Sequence, residues 1–163
     1  MAAKLVFALS NNFTQKDQQG ICTASSLNWA KRVLLGRSVE RESDLVDASV
    51  LNIQMAKLRR LDSDPTAQCA LVGLVPVGGD RAVSSISQVV SLTKASSTGV
   101  SIFWTAEHTM GYRYKHLNKE FFDQNRGFYR AKKTKEIAKE MANSVTPFPS
   151  GVVGMRIVAL EPS

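Results

Sequence analysis

The chain has 163 residues and a formal net charge of +7, from 21 Lys and Arg against 14 Asp and Glu. Hydrophobic residues make up 44% and charged residues 21%, which excludes a disordered or fibrous chain and is typical of a globular one. A chain of this length buries one core, so we expect a single domain over residues 1–163. The longest apolar run, CALVGLVPVGG, is too short to cross a bilayer, and MAAKLVFALSNN lacks the hydrophobic region of a secretory signal.

Three helices are predicted in the first half of the chain. The segment TASSLNWAKRVL has apolar residues at helical spacing, which predicts a helix from near Cys22 to Leu35, ended by Gly36. A second helix is predicted in ESDLVDASVLNIQMAKLRRLD, before Pro65. The third, DRAVSSISQVVSLTKAS, has Asp80 as its predicted N-cap. The predicted buried positions are Leu45, Val46, Val50, Leu51, Ile53 and Leu58 in the second helix, and Val83, Ile86, Val89, Val90 and Leu92 in the third.

Beyond Gly99 the pattern changes to short β-branched and aromatic runs separated by turn residues. The runs GVSIFWTA, HTMGYRY, EFFDQN and GFYRA are typical of an antiparallel meander. The segment KKTKEIAKEMANSV then predicts a helix, and GVVGMRIVALEP predicts a closing strand. Helices that precede antiparallel strands favour an α+β domain.

Cys22 follows Gly20 where the first predicted helix begins. A helix N-terminus carries a partial positive charge and unpaired N–H groups, which favour a thiolate over a thiol. Cys22 is therefore a candidate nucleophile, whereas a small buried cysteine near a helix start is the structural alternative. Cys69 lies in the strand-like run TAQCALVGLVP, and we expect it to be packed. The spacing of the two cysteines resembles neither a disulfide framework nor a zinc site, and we expect no metal or cofactor.

A nucleophilic thiolate needs a base, and the base needs a group that orients it. His108 stands at the head of HTMGYRY, and Asp123 ends the next strand, EFFD. In a hairpin that turns around residues 116–118, these positions lie within a few rungs of each other. The Asp123 carboxylate would then accept a hydrogen bond from one imidazole nitrogen and leave the other to face Cys22. His116 lies in the turn itself, and we expect it to be exposed and inert.

The segment GICTASSLNW resembles the nucleophile helix of the YopT/AvrPphB-type papain-like cysteine proteases, and FFDQNRG resembles the segment that bears their acidic residue. The resemblance implies a papain-like fold, in which N-terminal helices pack on a C-terminal antiparallel sheet. It also implies a cysteine protease with Cys22 as nucleophile, His108 as base and Asp123 as orienting acid. A bacterial effector of this family would leave the cell through a secretion system without a cleavable signal peptide. It would act on a host protein in the host cytoplasm.

Papain-like enzymes hold the oxyanion with the backbone N–H of the nucleophilic cysteine and an upstream Gln or Asn side chain. At the usual offset this sequence has Lys16 and Asp17, and an ionised Asp17 would repel an oxyanion. The resemblance therefore implies Gln15 or Gln18 as the side-chain donor, and the sequence does not choose between them.

Other functions are compatible with the same residues. A Cys-His-Asp site also supports a glutamine deamidase or a transglutaminase, because these reactions begin with the same thioester. A small peptidoglycan amidase with a papain-like core is a further alternative. From another class comes a docking module without catalysis, in which the basic segment Arg126–Lys139 attracts an acidic protein or an anionic membrane, unless that segment is a solvated helix face. No signature of specific nucleic-acid recognition accompanies the charge.

Overall fold

The computed structural model describes residues 2–9, 15–37, 39–45, 48–61 and 65–162, with side chains left out at 15–21, 48, 49, 52, 59 and 61. The elements follow in chain order: β1 (Lys4–Ala8), α1 (Gln15–Leu34), a 3-10 turn (Glu42–Asp44), α2 (Ala48–Leu61), α3 (Pro65–Ala70), β2 (Leu74–Ala82), α4 (Ile86–Ala95), β3 (Val100–Trp104), β4 (Thr109–Arg113), β5 (Lys119–Asp123), β6 (Gly127–Ala131), α5 (Thr134–Val145) and β7 (Gly154–Leu160). Across these ranges, no helix is both long and apolar enough to cross a membrane.

The strands form one seven-stranded antiparallel sheet in the order β1-β6-β5-β4-β3-β7-β2. The meander predicted beyond Gly99 is confirmed as β3 to β6, and the closing strand is confirmed as β7. In the hairpin of β4 and β5, Gly111 lies opposite Phe122. The sequence pattern did not predict β1, which pairs with β6 at one edge of the sheet.

Helices pack on both faces of the sheet, because alternate residues of each strand point to opposite sides. On one face, α1 and α2 enclose Trp29, whose ring stacks on Phe122 with a centroid separation of 5.9 Å. On the other face, α4 and α5 enclose Phe121, the strand neighbour of Phe122. Each fully buried side chain of this size stabilises the fold by roughly 1.5–3 kcal/mol. The chain is therefore α+β, with helices on an antiparallel sheet, as predicted.

Three predicted helix boundaries are wrong. The helix α1 begins at Gln15, so Cys22 lies inside it rather than at its start. The second predicted helix divides into the 3-10 turn and α2. Asp80 lies in β2 and binds Arg156 on the neighbouring strand β7 at 2.6 and 2.9 Å, and Ser85 instead caps α4. The ion pair engages the Asp80 carboxylate, so it is not available as a helix cap.

The buried face of α2 differs from the prediction at three residues, Met55, Val50 and Ile53. Met55 completes the stripe between Leu51 and Leu58 at helical spacing, and all three side chains are buried. The predicted positions divide into buried Leu51 and Leu58, half-buried Leu45, exposed Val50 and Ile53, and Val46, which lies outside the described residues. In and before α4, Val83, Val89 and Val90 are buried and Ile86 and Leu92 are half-buried, in agreement with the prediction.

Candidate active site

The position of α1 over β4 sets the geometry of the site. The Ser26 hydroxyl donates a hydrogen bond to the Thr109 carbonyl at 3.3 Å. One turn further on, the Trp29 ring covers Gly111, where an added Cβ would lie 2.5 Å from two ring carbons. Only a residue without a Cβ allows this close approach of helix and strand. In this register, Cys22 lies beside the beginning of β4, where the backbone N–H of Thr109 hydrogen-bonds its sulfur.

The Cys22 side chain is fully buried. Burial, followed by the negative charge of Asp123, raises the pKa of the thiol from 9.0 to about 12. The hydrogen bond from the Thr109 N–H acts in the opposite direction and favours the thiolate. Burial and the carboxylate outweigh this bond, so Cys22 carries its proton at neutral pH in this arrangement.

The prediction of a thiolate stabilised by a helix end is therefore wrong. The helix begins at Gln15, about two turns before Cys22. The effect of a helix dipole falls off within the first turn, so it contributes little at this depth. A group that accepts the thiol proton is correspondingly more important to any chemistry at Cys22.

His108 lies between β3 and β4, and its backbone and ring are both fixed. Its backbone N–H donates to Thr105 Oγ1 at 3.0 Å, and its carbonyl accepts from the Thr105 N–H at 2.9 Å. Its ring stacks on Phe148 with a centroid separation of 5.1 Å and an interplanar angle of 13°. Its Nε2 lies 2.6 Å from Asp123 Oδ1, and both side chains are buried. The predicted contact between His108 and Asp123 is present.

Asp123 ends β5 among several hydrogen-bond donors. Burial acts to raise the pKa of its carboxyl, but the hydrogen bond and charge of His108, with further hydrogen bonds from Ser144 and the Asn125 N–H, hold that pKa below its usual value. The Asn125 N–H donates at 2.9 Å. An ionised carboxylate only accepts, so His108 Nε2 carries the proton in this pair. The other ring nitrogen, Nδ1, is then the one left for a thiol proton.

Ser144 is a residue of this site that the sequence did not reveal. It is buried on α5, where its Oγ accepts from Arg126 Nη1 at 2.8 Å and its hydroxyl donates to Asp123. Arg126 is in turn held by Glu140 at 3.2 Å. The buried face of α5 consists of Ile137, Met141 and Ser144 at helical spacing. The sequence feature that could have revealed Ser144 is a polar residue in an otherwise apolar stripe of the helix.

The three predicted catalytic residues are not joined in one continuous hydrogen-bonded chain. His108 and Asp123 are in contact. Between the described atoms of Cys22 and the His108 ring no hydrogen bond is formed; the Cys22 sulfur instead accepts from the backbone N–H of Thr109, the residue that follows His108. The structure thus brings the acid and the base together and places the thiol next to the backbone of the base.

The remaining predicted residues have varied positions. His116 is exposed in the turn between β4 and β5, as predicted. Cys69 is buried, as predicted, but lies in α3 rather than in a strand, with its sulfur 3.9 Å from Arg156 Nη1. The side chains of Gln15 and Gln18 lie outside the described residues. Among the described residues, no group of three or more His, Cys, Asp and Glu could hold a metal ion.

The basic segment Arg126–Lys139 contains two kinds of charge. Its arginines are paired, Arg126 with Glu140 and Arg130 with Glu120 at 3.1 Å. Its four lysines are exposed: Lys132, Lys133, Lys135 and Lys139. The lysines therefore provide most of the charge that this segment presents to solvent.

Comparisons with known proteins show similarity at the level of structure. No family model matches the chain, and no curated protein matches it. The Pseudomonas avirulence protein AvrPphB is similar with a TM-score of 0.60 and 16% identity, over 98% of this chain and 97% of that one. PatoxP, a cysteine protease-like domain of the Photorhabdus asymbiotica toxin PaTox, is similar with a TM-score of 0.56 and 16% identity, over 98% of this chain and 54% of that one. The chain therefore has the α+β fold of the papain-like cysteine proteases.

Proposed function

We propose that residues 1–163 form a papain-like catalytic domain and that it is a cysteine protease, with Cys22 as nucleophile, His108 as general base and Asp123 as orienting acid. The observation that carries the proposal is the buried 2.6 Å contact between His108 Nε2 and Asp123 Oδ1, at the strand end where Cys22 meets the Thr109 N–H. A buried imidazole and carboxylate in this arrangement form the base and orienter of an acyl-transfer site. The protease-like fold of the similar structures supports the same assignment.

In the proposed reaction, the Cys22 sulfur attacks the carbonyl carbon of a peptide bond while His108 Nδ1 accepts the thiol proton. Because the pKa of the resting thiol is about 12, proton transfer accompanies the attack rather than precedes it. The Asp123 carboxylate stabilises the imidazolium that forms. His108 then protonates the leaving amine, and water hydrolyses the thioester. The side chain of Gln15 or Gln18 is the proposed oxyanion donor; the Cys22 backbone N–H lies inside α1, where the helix itself uses it in an intrahelical hydrogen bond.

The proposed substrate is a protein of a host cell, reached after export of this protein by a bacterial secretion system. Support comes from the similar structures, of which one is an avirulence protein and the other belongs to a toxin. The exposed lysines of the basic segment would favour an acidic protein, with an anionic membrane as the alternative partner. A glutamine deamidase or transglutaminase of the same fold is the second candidate, because the same thioester serves both.

The direct test is mass spectrometry of a host-cell protein mixture incubated with the protein. New peptide termini are expected with the wild type and with Cys69→Ser, a matched control that changes the other buried thiol, and none with Cys22→Ala. A gain of about one mass unit on glutamine would indicate deamidation instead of proteolysis, since the amide NH2 is exchanged for OH. A mixture that the wild type leaves unchanged would contradict both activities and favour the docking module.

Ser144 is expected to act as a positioning residue for Asp123. In Ser144→Ala the Asp123 carboxylate loses a hydrogen-bond donor that fixes its orientation. We expect kcat/KM to fall by roughly tenfold to hundredfold, as for other orienting hydrogen bonds. The loss of this bond also raises the pKa of Asp123, so the acidic limb of the pH profile should move to higher pH.

The control for Ser144 is Ser144→Thr, which keeps the hydroxyl and should restore most of the activity. Both variants are followed by kcat and KM across the acidic pH range, together with the melting temperature. A role limited to packing would be indicated by equal losses in the two variants with no movement of the pH profile.

A further inference from the structure

Two adjoining cavities lie around the turn between β4 and β5, at the opposite end of these strands from Asp123. The larger has a volume of about 440 Å³ and the smaller about 240 Å³. They share Asn118 and Arg130 in their walls, so one ligand could occupy both. A five-residue strand spans roughly 16 Å, which separates these cavities from the candidate active site.

The cavities concentrate the positive charge of the protein. Their described lining residues include seven basic side chains and two carboxylates, a net charge of +5 out of the formal +7 of the chain. Within the described ranges, no ion pair involves Arg37 and Lys115 of the smaller cavity, and both are exposed. A concave site with one sign of charge attracts ligands of the opposite sign.

Two of the three arginines of the smaller cavity, Arg113 and Arg130, are held in place by one buried carboxylate. Arg113 Nη1 donates to Glu120 Oε1 at 2.7 Å, and Arg130 Nε donates to Glu120 Oε2 at 3.1 Å. The Glu120 side chain is 4% exposed. A guanidinium has five N–H donors, so both arginines keep donors for an anionic ligand. Because these arginine side chains are already ordered, they lose little conformational entropy when a carboxylate binds.

The larger cavity adds an apolar component. Leu117 stands at its rim with 60% exposure and a φ of 64°, a left-handed conformation that is unfavourable for a non-glycine residue. Ala131 lines the same cavity. Lys119 Nζ donates to the backbone carbonyl of Lys132, another lining residue, at 2.8 Å and holds that residue in place. An exposed leucine in this conformation contributes little to folding, so contact with a ligand is a better account of it.

We propose that these two cavities, here called the turn surface, bind an extended acidic peptide segment, with an apolar side chain in the larger cavity and carboxylates in the smaller. A peptide fits better than a membrane because Leu117 is the one large apolar side chain among the described lining residues of the larger cavity, and the rest of the lining is mostly charged. Surfaces that insert into membranes present a wide apolar face. The proposal goes beyond the proposed catalysis and does not require Cys22 to be a nucleophile.

The test measures fluorescence anisotropy of a labelled glutamate-rich heptapeptide with one central leucine, added to the full chain that carries Cys22→Ala. Binding is expected, and its affinity should fall by roughly tenfold in Arg37→Glu/Lys115→Glu, since both changes reverse charge in the smaller cavity. The matched control is Lys135→Glu/Lys139→Glu, which makes the same change of charge within the basic segment but outside both cavities. It should change the affinity by less than about twofold.

The contact between the peptide leucine and Leu117 is tested separately. Leu117→Gly removes the side chain and relieves the left-handed backbone, so it should weaken binding while raising the melting temperature. A peptide with serine in place of leucine should show the same weakening on the wild-type surface. Because the melting temperature of Leu117→Gly should rise, a loss of binding in this variant cannot result from unfolding.

Three outcomes would overturn the proposal. One is absence of binding to the glutamate-rich peptide, and another is an equal loss of affinity in the two charge-reversal variants. The third is binding to phosphatidylserine-containing vesicles, but not to the peptide, which would assign the surface to a membrane. All arms use a chain without the Cys22 thiol, so they are independent of the proteolysis experiment.

Discussion

Asp123→Ala is expected to lower kcat/KM by about 10³-fold or more while making the Cys22 thiol easier to ionise. The activity falls because His108 loses the carboxylate that lies 2.6 Å from its Nε2, and with it the stabilisation of the imidazolium. The thiol ionises more easily because the charge of Asp123 is one of the two causes that raise its pKa to about 12. Loss of the carboxylate lowers the activity, whereas easier ionisation of the thiol by itself would raise it.

The sign of the pH effect follows from the charges. The raised pKa keeps Cys22 protonated at neutral pH in the wild type, so little thiolate absorbance is expected until the pH approaches 12. Removal of a nearby negative charge lowers the pKa of a thiol, so the midpoint in Asp123→Ala should lie at lower pH. The measurement is the ultraviolet absorbance of the thiolate during an alkaline titration, after subtraction of the same titration for Cys22→Ser.

Asp123→Asn is the matched control for shape. Its amide oxygen can still accept from Nε2, but the side chain is neutral, so the thiol pKa should fall as in Asp123→Ala while the activity stays higher than in that variant. If activity instead rose with the fraction of thiolate in either variant, thiol ionisation would limit the reaction. The proposed role of Asp123 as an orienting acid would then be wrong.

The parts of the site that follow from the sequence are those fixed by local strand pairing. The runs around His108 and Asp123 alternate and are separated by a short turn, so the register of the hairpin is set by residues close in the chain. In that register the ends of β4 and β5 meet, and the contact at 2.6 Å results. His116 could be assigned to the turn for the same reason.

The parts that the sequence does not predict depend on partners far away in the chain. Asp80 has the properties of a helix cap, but Arg156 binds it at 2.6 Å across the sheet, and this tertiary contact outweighs the local preference. The Thr109 N–H at Cys22 and the hydroxyl of Ser144 at Asp123 both come from distant elements. The pKa of Cys22 was mispredicted because it depends on burial, which a local pattern does not report.

Gly111→Ala is expected to destabilise the protein by about 2–3 kcal/mol, the upper part of the range for an overpacked core. An added Cβ would lie 2.5 Å from two carbons of the Trp29 ring. The ring has little room to retreat, because it is fully buried and stacks on Phe122 at 5.9 Å. The helix α1 must therefore shift away from β4, and the measurement is the free energy of unfolding in urea.

The same shift should impair the site. Cys22 and Trp29 belong to one helix, so a displacement of α1 at Gly111 also moves the sulfur relative to the Thr109 N–H. A displaced sulfur is also misplaced for attack and for proton transfer to His108, so the folded fraction of Gly111→Ala should be less active than the wild type. Activity per folded molecule separates this effect from simple loss of stability.

Gly79→Ala is the matched control, because a Cβ at Gly79 would have no heavy atom within 4 Å and the backbone there is not left-handed. Its stability should stay within about 0.5 kcal/mol of the wild type. Trp29→Leu supplies a smaller side chain over position 111, so its combination with Gly111→Ala should destabilise by clearly less than the sum of the two single changes. Additive losses, or equal losses at the two glycines, would contradict a direct contact between helix and strand as the feature that positions Cys22.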